Sequence, residues 1–305
     1  MKVLTATEKP FAPSAVQGIR EETERGGHTL ALLERYTDKE QLIGALADAD
    51  ALIVRSDKIT ADIIDAAPQL KIIVRAGAGY DNIDLAHARE KGIVVENTPG
   101  QNANAVAELV FGLLVYSARG FYNGKSGTEL KGKRIGLLAF GNVGRNVARI
   151  AAGFGMDVTA YDAYCPKDVI ESAGVTAAAG AASLFTDCDI VSLHIPATAE
   201  TRGSIGYAQA RSMKPGATLI NTARKEIIDE AGLLRALNER TDIKYITDIK
   251  PDADAEFAKL EGRYFATPKK MGAQTAEANT NAGIAAAKQI NSFFATGDTK
   301  YQVNK

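Results

Sequence analysis

The 305-residue sequence has no tryptophan, two cysteines (Cys165 and Cys188) and three histidines (His28, His87 and His194). So few thiols and imidazoles exclude a disulfide framework and a Cys/His metal cluster. No metal and a reducing, cytoplasmic setting are expected. An excess of one charge is lacking too: 36 Lys and Arg stand against 37 Asp and Glu, a net charge of −1. Without a broad basic field, neither nucleic acid nor a membrane surface is expected as a partner. Apolar runs such as "LVFGLLVY" fall far short of the roughly 20 residues of a membrane span. The opening "MKVLTATEKPF" lacks the apolar stretch of a secretory signal and reads instead as a first strand, Lys2 to Ala6. No tandem repeat or low-complexity segment is found.

What is present is apolar material, 46% of the residues, arranged in short β-branched runs that alternate with helical patterns. That alternation predicts parallel sheets with crossover helices. The first strand series is "KVLTA", "TLALLE", "ALIVR", "KIIVR" and "IVVEN". The second is "RIGLLA", "DVTAYD", "DIVSLHI", "ATLINT", "KYITDI" and "YFATP". Between the two lies a small-residue helix, Asn102 to Arg119, suited to close packing between domains or subunits, then the glycine-rich connection "GFYNGKSGTELKGK". The tail "AGIAAAKQINSFFA" is again helical. Two α/β units in one chain are expected.

The stretch "LLAFGNVGRNVARIAAGFG" places Ala139, Gly141 and Gly144 in a variant of the GxGxxG pattern between a strand and a helix. Gly141 lets backbone approach a pyrophosphate, Gly144 lets helix pack on strand, and the phosphates sit at the helix N-terminus formed by Asn142 and Val143. Ala139 replaces the glycine of the tight turn and fits there if φ is negative. Asp162 ends the next strand at the distance expected of a carboxylate that binds the adenosine ribose, and it favours NAD over NADP.

Three longer stretches, Val74 to Glu108, Asp189 to Ile205 and Met213 to Leu237, resemble the D-2-hydroxyacid dehydrogenase family, and the similarity covers nearly the whole chain. Within the family it is most similar to the short 3-phosphoglycerate dehydrogenases, which lack the C-terminal regulatory domain of longer forms. The resemblance implies an α/β fold of two doubly wound parallel-sheet domains with a cleft between them. One is a flavodoxin-like substrate domain, residues 1–98 plus 285–305. The other is a Rossmann NAD domain, residues 99–284. It further implies hydride transfer to or from C2 of a 2-hydroxy acid, and a homodimer with the helix Asn102 to Arg119 at its contact.

Residue by residue, the resemblance makes Arg224, in "NTARKE", the cation that holds the substrate carboxylate, a task suited to a guanidinium fork. The neighbouring Lys225 stands where the family usually has glycine. The family's acid/base histidine sits in a "TPH" segment; here "TPKKMGAQTAEA" puts Lys269 in that place, with Lys270 as a solvated neighbour. The carboxylate that orients the histidine falls on Ala253, leaving Asp252 or Asp254 as partners for Lys269. Asp248 matches a position beside the nicotinamide carboxamide. His194, Ile195, Pro196 and Thr201 match the adenine-side strand and loop, and Thr222 and Ala223 the cofactor face of the arginine segment. His194 is the other candidate acid/base.

For the substrate, the backbone amides of Ala76, Gly77 and Ala78 are expected to hold the carboxylate. Arg55, Ser56 and Lys58 end one strand and Arg75 ends its neighbour, where open α/β sheets place their sites. Such a cationic set favours a phosphorylated acid. Two alternatives stay open: a hydroxypyruvate or glyoxylate reductase of the same family, and a catalytically weak NAD-sensing binding protein.

Overall fold

The computed structural model describes all residues, 1–305, and the chain divides into two compact units, residues 1–102 with 274–305 and residues 103–273. The first unit runs β1 (Lys2–Thr7), α1 (Pro13–Arg25), β2 (Thr29–Glu34), α2 (Lys39–Leu46), β3 (Ala51–Val54), α3 (Ala61–Asp65), β4 (Ile72–Arg75), α4 (Leu85–Glu90) and β5 (Val94–Asn97). The second runs α5 (Ala103–Ala118), β6 (Arg134–Leu138), α6 (Asn142–Gly153), β7 (Asp157–Tyr161), α7 (Lys167–Glu171), β8 (Thr176–Ala177), α8 (Ala181–Asp187), β9 (Ile190–Leu193), α9 (Tyr207–Ser212), β10 (Thr218–Asn221), α10 (Glu230–Glu239), β11 (Lys244–Thr247), α11 (Asp254–Phe257) and β12 (Tyr264–Ala266). Helix α12 (Ala276–Thr296) then returns to the first unit.

The chain crosses between units at 102/103 and 273/274, not at the expected 98/99 and 284/285. Two local bonds account for the difference. Thr98 N–H donates to Gly77 O (2.9 Å), keeping the residues after β5 in the first unit. Thr275 Oγ1 accepts Ala278 N–H (3.1 Å), so α12 begins a turn and a half ahead of the apolar pattern read from the tail.

The first sheet has strand order β2-β1-β3-β4-β5, the flavodoxin-like order. The second has order β12-β11-β10-β9-β6-β7-β8, which is the Rossmann order with a strand added at one edge. All the named pairings are parallel. Helices cover both faces, so strands read as continuous apolar runs. All four residues of β3 are buried, with Leu52 and Val54 in one core and Ala51 and Ile53 in the other. Strand β8 is too short to show a period in the sequence. The C-terminal residues protect the edge at β5: Val303 N–H donates to Val95 O (2.8 Å), and Asn304 Oδ1 accepts Val95 N–H (2.9 Å). No helix is long and apolar enough to cross a membrane, and no group of three or more His, Cys, Asp or Glu is arranged to hold a metal.

Candidate active site

In the second unit, the loops at the C-terminal ends of β6, β9, β10, β11 and β12 carry most of the candidate residues, at and beside the point where strand order reverses between β6 and β9. Gly141 caps α6, and the first amides of that helix, at Asn142, Val143 and Gly144, have no acceptor in the chain. They form the anion-binding end that a pyrophosphate requires. A Cβ on Gly144 would lie 2.4 Å from Ala139 O, so helix and strand approach as closely as the pattern demands. Ala139, however, adopts φ +86°. The condition under which alanine fits is not met: the turn keeps its left-handed geometry, and the alanine carries the strain.

Asp162 sits at the end of β7. Its Oδ2 accepts Phe140 N–H (2.8 Å), and its Oδ1 accepts Tyr164 N–H (2.8 Å) and Cys165 N–H (2.9 Å). Burial raises the carboxyl's pKa, but these three bonds and the Arg145 charge outweigh it and hold the group below the usual carboxylate range. Three of its four acceptor positions are thus used, leaving one on Oδ2 for a ribose hydroxyl. A cavity of about 800 Å³ opens beside it, lined among others by Ala139, Asp162, Ile195, Pro196 and Thr201. Thr201 Oγ1 closes the turn by donating to Pro196 O (2.6 Å). His194 is bonded to Ser192 Oγ through Nε2 (2.9 Å), and burial pushes its pKa down to about 4. It is therefore neutral near pH 7 and occupied by a hydroxyl.

A ladder of buried polar residues ties the next three loops together; Thr222 and Asp248 were expected at the cofactor, while Asn221, Thr247 and Thr267 were not. Asn221, at the end of β10, accepts Ala223 N–H through Oδ1 (2.9 Å) and donates to Arg224 O through Nδ2 (2.9 Å). Thr247 Oγ1 donates to Asn221 O (2.9 Å), and Thr267 Oγ1 donates to Asp248 O (2.8 Å). Its only sequence signal is a polar residue closing each apolar strand. At its centre Asp248 is fully buried. Its Oδ2 accepts Gly272 N–H (2.7 Å), while its Oδ1 and the hydroxyl of buried Thr222 have no partner. Orphaned acceptors of this kind are costly unless a ligand supplies donors, and a nicotinamide carboxamide is such a ligand. The free amides of α6, the remaining acceptor of Asp162 and these two oxygens all fit NAD.

Arg224 lies half-buried beside this ladder and donates from Nη1 to Ala223 O (2.9 Å). The lysine that meets it is Lys270, whose Nζ donates to the same Ala223 O (3.0 Å). Lys269 is exposed, and only its backbone is held, its carbonyl accepting Thr267 Oγ1 (2.8 Å). Both lysines are exposed, and it is Lys270, expected only as a solvated neighbour, whose side chain reaches the Arg224 loop. Counting forward from Pro268 selects Lys269, but the segment is anchored from its far side, where Gly272 N–H binds Asp248. Neither candidate carboxylate pairs with Lys269. Asp252 binds Lys225 (2.6 Å), and Asp254 binds Lys250 (2.8 Å) and the Tyr264 hydroxyl (2.7 Å).

In the first unit, the ends of β3 and β4 carry the cationic set. Arg55 donates from Nη1 to Lys9 O (2.9 Å) and Pro10 O (3.2 Å) and from Nη2 to Asn279 Oδ1 (2.7 Å), with Phe11 packed against its guanidinium (5.0 Å). Arg75 donates from Nε to Arg55 O (2.9 Å). Ser56 and Lys58 are exposed. The three amides expected to hold a carboxylate are not all available. Ala76 N–H donates to Val54 O (2.8 Å) and Gly77 N–H to Arg75 O (2.8 Å), because the chain continues the ladder of β4 and then turns tightly. Only the Ala78 N–H lacks an acceptor. Gly77 has φ +154°, a backbone conformation that favours glycine.

Known proteins fit this geometry. The family model described as D-isomer specific 2-hydroxyacid dehydrogenase, NAD binding domain, matches residues 115–267. The D-3-phosphoglycerate dehydrogenase of Methanocaldococcus jannaschii is 40% identical over 269 residues, 83% of this chain and 51% of that protein. The hydroxypyruvate reductase of Thermotoga maritima is 39% identical over 280 residues, 86% of this chain and 90% of that one. The crystal structure of NAD+-bound 3-phosphoglycerate dehydrogenase from Entamoeba histolytica aligns with a TM-score of 0.88 at 48% identity, covering 100% of this chain and 99% of that one. This chain spans about half the length of the Methanocaldococcus protein.

Proposed function

The chain belongs to the D-isomer specific 2-hydroxyacid dehydrogenase family, and on that premise we propose that it interconverts 3-phosphoglycerate and 3-phosphohydroxypyruvate with NAD. The observation that carries this reading is the full-length similarity, at 48% identity, to the Entamoeba enzyme. The cations at the ends of β3 and β4 support it, since a phosphorylated acid carries more negative charge than glycerate or lactate. Residues 1–102 with 274–305 act as the substrate domain and residues 103–273 as the NAD domain. A cytoplasmic homodimer, with the exposed face of α5 at Asn104, Glu108 and Gly112 in its contact, completes the proposal.

In this reading Arg224 grips the substrate carboxylate and draws electron density toward the C2 oxygen. Lys270 takes the hydroxyl proton during oxidation and returns it to the carbonyl oxygen during reduction. NAD, when bound, supplies the hydride acceptor. The Ala78 N–H and the guanidinium of Arg75 hold the acid from the first unit, and Lys58 meets the phosphate. Arg55 contributes as a fixed cation, since three of its donors are already engaged. Because an unperturbed lysine titrates near ~10.4, hydroxyl oxidation is expected to peak at a more alkaline pH than in a histidine enzyme. A limb near ~6.5 would contradict a lysine carrier.

The similarity to the Thermotoga hydroxypyruvate reductase favours a second reading, and substrate preference separates the two. NADH-dependent reduction of phosphohydroxypyruvate, hydroxypyruvate and glyoxylate is to be compared for the wild type, Lys269→Ala and Lys270→Ala. Preference for the phosphorylated acid, with a loss of about 10²-fold in kcat on Lys270→Ala and little on Lys269→Ala, is the expected result. Preference for hydroxypyruvate selects the second reading. Loss on Lys269→Ala alone returns the role to that lysine.

A further inference from the structure

Arg55 and Lys58, two of the cations proposed to meet a phosphorylated acid, stand on either side of Asp57. Unlike its exposed neighbours Ser56 and Lys58, Asp57 is buried, only 4% exposed. We propose that Asp57 is the positioning residue for the substrate phosphate. It fixes the loops after β1 and β3 so that Arg55, Lys58 and Arg75 form one preformed cationic site, and it thereby sets the preference for a phosphorylated over an unphosphorylated acid. The inference rests on the reading of a phosphorylated substrate and deepens it.

A buried carboxylate is costly unless it is well bonded. Asp57 Oδ1 accepts Glu8 N–H (2.7 Å) and the Tyr36 hydroxyl (2.9 Å), and Oδ2 accepts Arg55 N–H (3.3 Å). These bonds gather the segments that follow β1, β2 and β3. The loop after β4 joins them: Asn82 Nδ2 donates to Asp57 O (2.7 Å), and Asn82 O accepts Ile59 N–H (2.8 Å). Lys58 thus lies between two held residues. The effect reaches the guanidinium groups. Arg55 donates to Lys9 O and Pro10 O, both in the loop that Asp57 anchors at Glu8. Arg75 Nε donates to the carbonyl of Arg55, whose own N–H is held by Asp57. Three donors meet the two carboxylate oxygens, and an amide cannot replace them all: its NH2 would face either the Arg55 N–H or the pair of donors at Oδ1. The charge lies within electrostatic reach of Arg55 and offsets part of the repulsion among the gathered cations.

The test is Asp57→Asn, assayed beside the wild type as NADH-dependent reduction of phosphohydroxypyruvate and of hydroxypyruvate. NADH affinity by fluorescence and a urea melt are measured on the same samples. Loosened loops are expected to raise KM for phosphohydroxypyruvate roughly 10-fold, with a much smaller change in kcat. Hydroxypyruvate has no phosphate to place, so its kcat/KM falls less and the preference ratio drops by about 5-fold or more. A melt at lower urea with the ratio unchanged overturns the proposal and leaves Asp57 a contact of the fold alone. A loss of NADH affinity as large as the rise in KM overturns it as well, because the disturbance is then general. So does a lower KM for the phosphorylated acid, because removal of the charge then outweighs any loss of positioning. Should the variant fail to fold, Tyr36→Phe removes one donor and keeps the carboxylate. A fall of about 2-fold or more in the ratio is then expected, and an unchanged ratio overturns the proposal. Equal use of the two acids by the wild type is a separate failure, of the underlying reading, and the proposal falls with it.

Discussion

A single residue in this chain sets a local conflict between pattern and geometry. Ala139 occupies a glycine position at φ +86°, where a Cβ costs about 1–2 kcal/mol. Ala139→Gly removes that strain and gives back part of the gain as unfolded-chain entropy, so a net stabilisation of ~0.5–1 kcal/mol is expected. Denaturant melts of the two proteins measure it, and NADH affinity should be unchanged because the substitution leaves the α6 amides in place. A variant less stable than the wild type would mean that the neighbours hold the turn without strain. The difference between Lys269 and Lys270 belongs to the same scale. Adjacent identical side chains cannot be told apart by type, and only the anchoring of Gly272 to Asp248 decides which one turns toward Arg224.

The elements that matter most are the loop after β11 and the helix that restrains it. Glu230, in the first turn of α10, accepts Asp252 N–H through Oε1 (2.9 Å) and Ala253 N–H through Oε2 (2.7 Å). Both are charge-assisted bonds, and Lys225 adds its pair with Asp252. Together they fasten the loops after β10 and β11 to each other next to Arg224. Glu230→Ala is expected to cost about 1–3 kcal/mol locally and to speed amide exchange at Asp252 and Ala253, with β11 itself still protected. Exchange equally slow in the variant would show that the loop holds without the carboxylate. Glu230→Gln, which retains acceptors, should fall between.

Across the whole molecule, stability and pH are linked through a buried acid away from the chemistry. Glu96 is 1% exposed on β5, accepts Tyr301 N–H (3.3 Å) and has its pKa raised by burial to about 7, with Asp298 adding to the rise. The folded state thus disfavours its charge. Its contribution to stability is complete below the unfolded value near 4.5 and is lost as pH rises to about 7. The loss is on the order of 1–3 kcal/mol. Glu96→Gln should therefore melt above the wild type at pH 8 and close to it at pH 5. An equal gap at both values would remove the charge from the account. His194 acts with the opposite sign: its pKa is lowered to about 4, so its contribution is lost as pH falls from 6.5 toward 4.

The amino-acid sequence by itself determined the fold class, eleven of the strand positions and the place of the glycine loop between β6 and α6. These follow from periodicity, turn chemistry and motif spacing, which are local properties of the chain. It did not determine which lysine meets Arg224, how few amides remain at Ala76 to Ala78, or where Asp252 and Asp254 spend their charge. Those outcomes depend on hydrogen-bond partners supplied by segments far apart in sequence, such as Ala223 for Lys270 and Val54 for Ala76. The unit boundaries were likewise decided by a cap at Thr275 and a bond at Thr98. Each buried donor must find an acceptor, and only the tertiary structure brings the acceptor within reach.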